Sequence, residues 1–187
     1  MQEAEGFKVS AIVPARNEEA TVAAVVQELL AQTWPGGQAL IDEVIVADNG
    51  SCDATARMAA AAGARVIRVD KAGYGQACWA GTLASTGDVL IFVDADGSAN
   101  PVEASILLSC VQHGADLAIG MRTAPQPGSM SAAQRWGNAL ACGLMRLLWG
   151  MPARDLGPFR AITRRAFDQL QMRDRSFGWT VEMQLRA

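Results

Sequence analysis

Short runs rich in apolar residues, separated by apolar positions at helical spacing, dominate the pattern of this chain. Such runs are typical of strands buried on both faces, as in a parallel sheet beneath helices. They predict strands at residues 8–13, 43–47, 65–69, 89–93 and 116–121. Helical spacing predicts helices between them, the first at residues 22–30. Strand and helix alternate three times before the fourth strand, which predicts a doubly wound α/β fold with a mostly parallel sheet.

The second half of the chain continues with further predicted helices and one short strand. The helices are expected at residues 101–112, 131–149 and 164–170, and a last one begins at Trp179. An irregular segment at 155–161 leads into the short strand. Pro14 is expected to end the first strand, because proline lacks the N–H that a central strand needs.

Two acids follow the most apolar run, at residues 89–93. Asp94 and Asp96 are two positions apart, so in extended backbone both carboxylates point to the same side and Ala95 to the other. Two carboxylates this close repel each other unless a proton or a cation lies between them. Oxygen ligands favour Mg²⁺ or Mn²⁺ shared with a substrate phosphate. The alternative is that the two acids only end a strand and turn the chain at Gly97.

The other predicted strands also end in polar residues. Arg16 and Glu18 follow the first strand, Asp48 follows the second, and Lys71 follows the third. The carboxyl ends of parallel strands meet at one edge of the sheet, where α/β proteins bind their ligands. The set of strand ends therefore predicts a binding site around the acid pair.

Composition narrows the class of protein. The 187 residues are half hydrophobic and 19% charged, which fits one globular domain. A net charge of −3 argues against a general nucleic-acid binder. The sequence predicts neither a signal peptide nor a membrane span, because acids precede the first apolar run and no uncharged apolar stretch reaches about 18 residues. Four scattered cysteines are interpreted as reduced, mostly buried thiols of a cytosolic protein.

Several familiar binding and catalytic motifs are incomplete or absent in this sequence. Gly73 and Gly75 give a GxG, but Cys78 occupies the third glycine position and the motif follows the third strand, so it is not a dinucleotide fingerprint. The sequence has no GK[ST] phosphate loop and no GxSxG elbow. His113 is the only histidine and is interpreted as a helix-end residue.

An ordered set of motifs resembles glycosyltransferase family 2, which has the GT-A fold. The motifs are VPARNE at 13–18, ADNGSCD at 47–53, KAGYGQA at 71–77, the acid pair, GMR at 120–122, DLGPFR at 155–160 and GWTVE at 178–182. The resemblance implies a Rossmann-like three-layer α/β/α domain over residues 1–187. Within the family, the chain looks closest to the dolichyl- or polyprenyl-phosphate sugar synthases. It would then move a hexose, with inversion, from a UDP- or GDP-sugar to a lipid phosphate at the membrane surface.

The resemblance also implies roles for individual residues. Asp96 would bind Mg²⁺ or Mn²⁺ directly, and Asp94 would meet the ribose or the metal through water. If the acceptor is a hydroxyl group, Asp155 or Glu182 would be the base that takes its proton. The residues expected to contact the nucleotide or a phosphate are Pro14, Ala15, Arg16, Glu18, Asp48, Lys71, Gly73, Gly75, Arg122 and Arg160.

Two departures from the family pattern and two alternative functions remain. Asn49 stands where a second acid is common, and family members of this branch usually continue beyond the position of residue 187, so a longer natural protein is expected. The expected location is the cytoplasm, peripheral to the inner face of the membrane. The alternatives are a sugar-nucleotide pyrophosphorylase, although residues 14–18 lack its glycine-rich basic loop, and a catalytically silent nucleotide-sugar-binding module.

Overall fold

A single mixed sheet organises the structure, a computed structural model that describes residues 6–121, 143, 146–147, 157 and 159–187. Its strands are β1 (Val9–Ala15), β2 (Glu43–Asp48), β3 (Arg65–Arg68), β4 (Val89–Phe92), β5 (Leu117–Ile119) and β6 (Arg160–Thr163). The strand order is β3-β2-β1-β4-β6-β5. Strands β1 to β4 pair in parallel, whereas β6 runs antiparallel to both β4 and β5. The predicted α/β fold with a mostly parallel sheet is confirmed.

Helices cover both faces of this sheet. They are α1 (Val22–Leu30), α2 (Thr55–Ala61), α3 (Tyr74–Ala84), α4 (Ala104–Gln112), α5 (Arg164–Leu170) and α6 (Trp179–Arg186). The first strand shows how the layers divide, because Ala11 and Val13 join the apolar cluster that contains α1 and α4, while Ile12 joins the one that contains α5 and α6. This period of two places one buried side chain on each face in turn.

An aromatic cluster fixes α6 and α5 to the sheet. The ring of Phe92 on β4 lies 6.0 Å from that of Trp179 and 6.1 Å from that of Phe167, measured between centroids. Each of these side chains is almost completely buried. Aromatic side chains contribute more buried apolar area than other residues, so this cluster is a strong anchor for α6.

Pro14 does not end the first strand, contrary to the sequence prediction. Strand β1 continues to Ala15, and Pro14 lies opposite Ala47 of β2. The N–H and C=O groups of successive strand residues point to opposite sides of the strand, so those of Ile12 and Pro14 point to the same side. The Ile12 carbonyl accepts a hydrogen bond from the Val93 N–H, on the β4 side. The missing N–H of Pro14 therefore faces the β4 side, beyond the last paired residues of that ladder, Ile12 and Phe92.

Two other sequence interpretations have mixed outcomes. Helix α4 ends before His113, whose ring bonds the carbonyl of Ser109, so the helix-end interpretation is confirmed. The cysteines are not mostly buried within the described ranges, because Cys52 and Cys110 are exposed and Cys78 is buried.

Of the long helix predicted at 131–149, only Gly143, Arg146 and Leu147 are described, all as helix. Among the described residues, no helix combines the length and apolar character that crossing a membrane requires.

Candidate active site

A cleft of about 270 Å³ opens at the carboxyl ends of β1 and β4. The structure brings seven of the predicted site residues together in its lining, namely Pro14, Ala15, Arg16, Glu18, Gly73, Asp94 and Asp96. They come from three separate stretches of the chain. The predicted convergence of strand ends at one edge of the sheet is therefore present for these residues.

The acid pair lies where the chain leaves the sheet. Strand β4 ends at Phe92 and the chain turns at Ala95 and Asp96. Asp94 and Asp96 line the cleft, and so does Ala95 between them, which is also buried against the apolar core. Asp96 is exposed, and its Oδ1 accepts a bond from the Ser98 N–H at 2.9 Å. The two sequence interpretations are thus compatible, since the acids turn the chain and also face the cleft.

Arg16 and Glu18 stand on a loop that is tied to the loop after β2. The Asn17 N–H donates to Ser51, and the Asn17 side-chain oxygen accepts from the Cys52 N–H at 2.9 Å. The Glu18 N–H donates to the Thr55 hydroxyl at 2.8 Å. Asn17 has a φ of +57°, a left-handed conformation that asparagine tolerates better than most residues. These bonds fix the backbone that carries Arg16 and Glu18.

Asn49 connects the end of β2 to the loop that precedes α3. Its amide nitrogen donates to the carbonyls of Val69 and Lys71, at 3.3 and 2.7 Å. Its side-chain oxygen accepts from the Gly73 N–H at 2.8 Å. A carboxylate could replace the acceptor but neither donor. The departure from the family's second acid therefore has a structural role, and Asn49 itself lines the cleft.

Asp48 and Lys71 are placed beside the cleft and not in its lining. The Asp48 side chain is buried, and its Oδ1 accepts from the Ser51 N–H at 3.0 Å. Lys71 is exposed, and its carbonyl is bound by Asn49. The nucleotide contacts predicted for these two side chains stay predictions.

Gly75 packs against protein backbone and does not face the cleft as predicted. A Cβ added to Gly75 would lie 2.8 Å from the carbonyl carbon of Arg175 and 2.9 Å from the carbonyl oxygen of Asp174. The Gly75 N–H donates to Ser176 and the Gln76 N–H donates to Arg175. The segment 174–176 therefore takes N–H groups from the first turn of α3, which would otherwise lack intrahelical partners.

Arg160 lies inside the protein, which corrects its predicted role as a phosphate ligand at the cleft. The residue is completely buried on β6. Its guanidinium donates to the carbonyls of Gly157 and Thr180 and so connects β6 to α6. A buried guanidinium with these partners holds the fold together near the cleft.

Glu182 is also misplaced for its predicted role as a base. Its carboxylate accepts bonds from the backbone N–H groups of Arg173 and Asp174 and from the Arg186 side chain. Burial alone would raise the pKa of Glu182, but these hydrogen bonds and the charge of Arg186 outweigh it, so the pKa is lowered. A general base that works near neutral pH needs a raised pKa. Glu182 instead holds the segment that covers the start of α3.

This role makes a pH-dependent prediction for Glu182→Gln. The folded-state pKa of Glu182 is below its ordinary value of 4.5, so the carboxylate stabilises the fold above that pH and loses this contribution as pH falls through the lowered pKa. We expect the variant to lose about 1–2 kcal/mol of unfolding free energy near neutral pH. The difference from the parent protein should shrink at acidic pH. Urea unfolding at both pH values measures this.

Glu28→Gln is the matched control for this measurement, because Glu28 is exposed on α1. It should change the unfolding free energy by less than about 0.5 kcal/mol at either pH. A Glu182→Gln deficit that is equally large at acidic pH would contradict the assigned role.

Tyr74 and Phe177 line the cleft, and sequence reasoning missed both. The Tyr74 hydroxyl donates to Asp94 Oδ1 at 2.9 Å. Burial raises the pKa of Tyr74 well above its ordinary value, and Cys78 and Asp94 raise it further, so the phenol stays protonated. The Phe177 ring is 87% exposed. The available signals were a tyrosine between two glycines and an aromatic residue in a polar loop.

Two predicted site residues, Arg122 and Asp155, lie outside the described residues. Within the described ranges, no group of three or more histidine, cysteine, aspartate or glutamate side chains is arranged to hold a metal ion. The described lining of the cleft contains three carboxylates, those of Glu18, Asp94 and Asp96.

The sequence matches a known family over most of its length. The model of the family described as Glycosyl transferase family 2 matches residues 10–171. The chain belongs to glycosyl transferase family 2. Three predictions are therefore confirmed: the chain belongs to this family, it is a glycosyltransferase, and it has the GT-A fold.

Curated relatives from mycobacteria agree with this assignment. An uncharacterized glycosyltransferase of Mycobacterium tuberculosis is 32% identical over 182 residues, which are 97% of this chain and 79% of that protein. The glucosyl-3-phosphoglycerate synthase of Mycolicibacterium smegmatis is 42% identical over 99 residues, but these cover 49% of this chain and 31% of that enzyme.

Solved structures of one relative superpose closely on this fold. Glucosyl-3-phosphoglycerate synthase from Mycobacterium tuberculosis in complex with Mn²⁺ and UDP-glucose gives a TM-score of 0.79 at 26% identity, over 95% of this chain and 63% of that one. The same enzyme in complex with UDP gives 0.75 at 26% identity. This chain thus spans less than two thirds of the length of these structures. None of these relatives is named as a polyprenyl-phosphate sugar synthase, so that branch of the family is not supported.

Proposed function

We propose that this protein transfers a hexose from a UDP-sugar to a phosphate-bearing acceptor in a reaction that depends on Mn²⁺ or Mg²⁺. The observation that carries the proposal is the position of Asp94 and Asp96 in one cleft with the loop after β1 and with Gly73. A site at the carboxyl edge of an α/β sheet is where such a fold binds nucleotides. Membership of glycosyl transferase family 2 supports the reaction class.

The donor set of the cleft fits a hard divalent cation. Asp94 and Asp96 offer carboxylate oxygens, and Mg²⁺ is commonly held by one or two carboxylates together with substrate phosphates. When bound, the cation would supply positive charge that stabilises the leaving diphosphate. Arg16 is exposed at the same cleft, and its guanidinium can bind two diphosphate oxygens through paired hydrogen bonds. Asp96 is proposed as the direct ligand, because its carboxylate is the more exposed of the two.

A UDP-sugar is favoured over a GDP-sugar as the donor. The support is that solved relatives at 26% identity are complexes with UDP and with UDP-glucose and Mn²⁺. Within the cleft, Pro14 and Ala15 give an apolar edge at the end of β1, and Asn49 and Gly73 form the neighbouring wall. We assign the nucleoside to this end and the diphosphate to the end with the acid pair.

The acceptor is proposed as a phosphomonoester. The name glucosyl-3-phosphoglycerate synthase, shared by several relatives, favours a small phosphorylated acid. Polyprenyl phosphate, the acceptor favoured from sequence, has the same phosphomonoester group and no support from those names. 3-Phosphoglycerate has a free hydroxyl beside its phosphate, and if that hydroxyl attacks the sugar a base must take its proton. The lowered pKa of Glu182 disfavours that residue as the base. Asp155 stays a prediction for that role.

A donor and acceptor panel tests the proposal. The protein is incubated with UDP-glucose, UDP-galactose, UDP-N-acetylglucosamine or GDP-mannose, with Mn²⁺ and with either 3-phosphoglycerate or a polyprenyl phosphate in detergent. We expect UDP release and a glycosylated product with one UDP-sugar and 3-phosphoglycerate, lost when EDTA is added. Product from the lipid alone would restore the sequence-based acceptor. NMR of the anomeric proton then tests the inversion that the family resemblance implies.

Two negative outcomes have different meanings. Mn²⁺-dependent binding of UDP without transfer to any acceptor would favour the catalytically silent module. Turnover with GDP-mannose and none with UDP-sugars would contradict the proposed donor. Calorimetry of UDP and GDP, each with and without Mn²⁺, separates these cases before any acceptor is added.

A further inference from the structure

The side chain of Tyr74 connects the start of α3 to the acid pair in the cleft. Its hydroxyl donates to Asp94 Oδ1 at 2.9 Å. Both residues line the cleft and both are half-buried. A hydrogen bond to a carboxylate is among the stronger kinds in proteins, and it restricts the rotation of the carboxyl group.

The position of Tyr74 is itself fixed on both sides. Just before it, the Gly73 N–H donates to the side chain of Asn49 at 2.8 Å. Just after it, the N–H groups of Gly75 and Gln76 donate to the carbonyls of Ser176 and Arg175, at 3.0 and 2.8 Å. The tyrosine ring packs against the apolar cluster that includes Phe92 and Trp179. These contacts fix the backbone and the ring of Tyr74, and so they fix the position of the hydroxyl that bonds Asp94.

The contact makes the two acids unequal. Asp94 receives a bond from a residue distant in sequence, whereas Asp96 accepts a bond from Ser98 within its own turn. The hydrogen bond from Tyr74 holds the Asp94 carboxylate in one orientation. A group held in its productive orientation before the ligand arrives costs less to organise during the reaction.

We propose that Tyr74 is a positioning residue that fixes the Asp94 carboxylate in the orientation used for hexose transfer. The inference rests on the proposed function and adds a residue to its site. Tyr74 acts through Asp94, and its aromatic ring separately fills space between α3 and the sheet. Removing the hydroxyl alone therefore tests the positioning role without removing the packing role.

The Tyr74→Phe variant tests this inference with the full chain. We expect kcat for hexose transfer from UDP-glucose to fall roughly tenfold to hundredfold, with KM for UDP-glucose changed by less than about threefold. A role in packing alone would leave kcat unchanged once the protein is folded. Ser105→Ala is the matched control, because the Ser105 hydroxyl donates to the Val102 carbonyl just before α4, and Ser105 does not line the cleft. It should leave both constants unchanged.

A double-mutant cycle with Asp94→Asn shows whether Tyr74 acts through Asp94. If it does, adding Tyr74→Phe to Asp94→Asn lowers kcat by less than about twofold beyond Asp94→Asn alone. Fully multiplicative effects, or a Tyr74→Phe variant with the kcat of the parent protein, would overturn the inference while leaving the proposed function intact.

Failure of the proposed function is a separate result. If the parent protein transfers no hexose from any UDP-sugar, the proposed function is wrong. A crystal structure of Tyr74→Phe then tests separately whether Tyr74 orients the Asp94 carboxylate. A rotated or divided Asp94 side chain supports positioning by Tyr74, and an Asp94 side chain in its original rotamer overturns it.

Discussion

Replacing Asp96 by asparagine is expected to lower kcat for hexose transfer roughly a thousandfold, because a bound divalent cation contributes several kcal/mol to stabilising a leaving diphosphate. The change removes the charge of the carboxylate that faces the cleft most openly. It keeps the side-chain oxygen that accepts the Ser98 N–H, so the turn after β4 should stay intact. Steady-state kinetics with UDP-glucose measure the loss, and calorimetry of UDP with and without Mn²⁺ measures the metal dependence.

Asp116→Asn is a matched control for this experiment. It removes the same charge just before β5, at the edge of the sheet opposite the cleft, where Asp116 pairs with Arg165 at 3.1 Å. Exposed ion pairs contribute little to stability, so the control should have nearly the parent activity and fold. An Asp96→Asn variant whose UDP binding still depends fully on Mn²⁺ would show that the cation binds elsewhere.

The backbone of the site could be predicted from sequence because it depends on local patterns. Residues 89–93 are apolar without interruption, which indicates a strand buried on both faces, and the i, i+2 spacing of Asp94 and Asp96 then places both acids on one side. The structure departs from the extended backbone that this rule assumes, because the chain turns at Ala95 and Asp96, and Ala95 lines the cleft together with both acids. The fold class and the acid pair follow from such short-range rules.

The contacts that organise the cleft could not be predicted in the same way, because they join residues far apart in sequence. Arg160 appeared as a phosphate ligand within a family-like motif, yet its burial depends on how β6 lies between β4 and β5. Glu182 appeared as a base, yet its partners Arg173 and Asp174 are on a preceding loop whose path the sequence does not indicate. A charged residue in a motif can bind a ligand or hydrogen-bond other parts of the protein, and the motif alone does not distinguish the two.

Asn49→Asp is expected to have the largest effect on stability, lowering the unfolding free energy by about 2–4 kcal/mol near neutral pH. The carboxylate would lose both amide donors and face the carbonyls of Val69 and Lys71 with a negative charge. The loop that leads to Tyr74 would lose its tie to β2, so the affinity for UDP should fall as well. Urea unfolding followed by tryptophan fluorescence measures the first effect, and UDP calorimetry the second.

The pH dependence of this deficit identifies its cause. An aspartate at position 49 would have a raised folded-state pKa, because burial and two facing carbonyls disfavour its charge. Its protonated form restores one donor, so the deficit relative to the parent protein should shrink as pH falls and be largest above the raised pKa. Asn100→Asp is the matched control, because the Asn100 side-chain oxygen accepts from the Val102 N–H, and an aspartate oxygen can accept the same bond. If Asn49→Asp loses no more unfolding free energy than Asn100→Asp, the acid that is common in the family would be tolerated at position 49. The hydrogen bonds of the Asn49 amide would then not be what stabilises this loop.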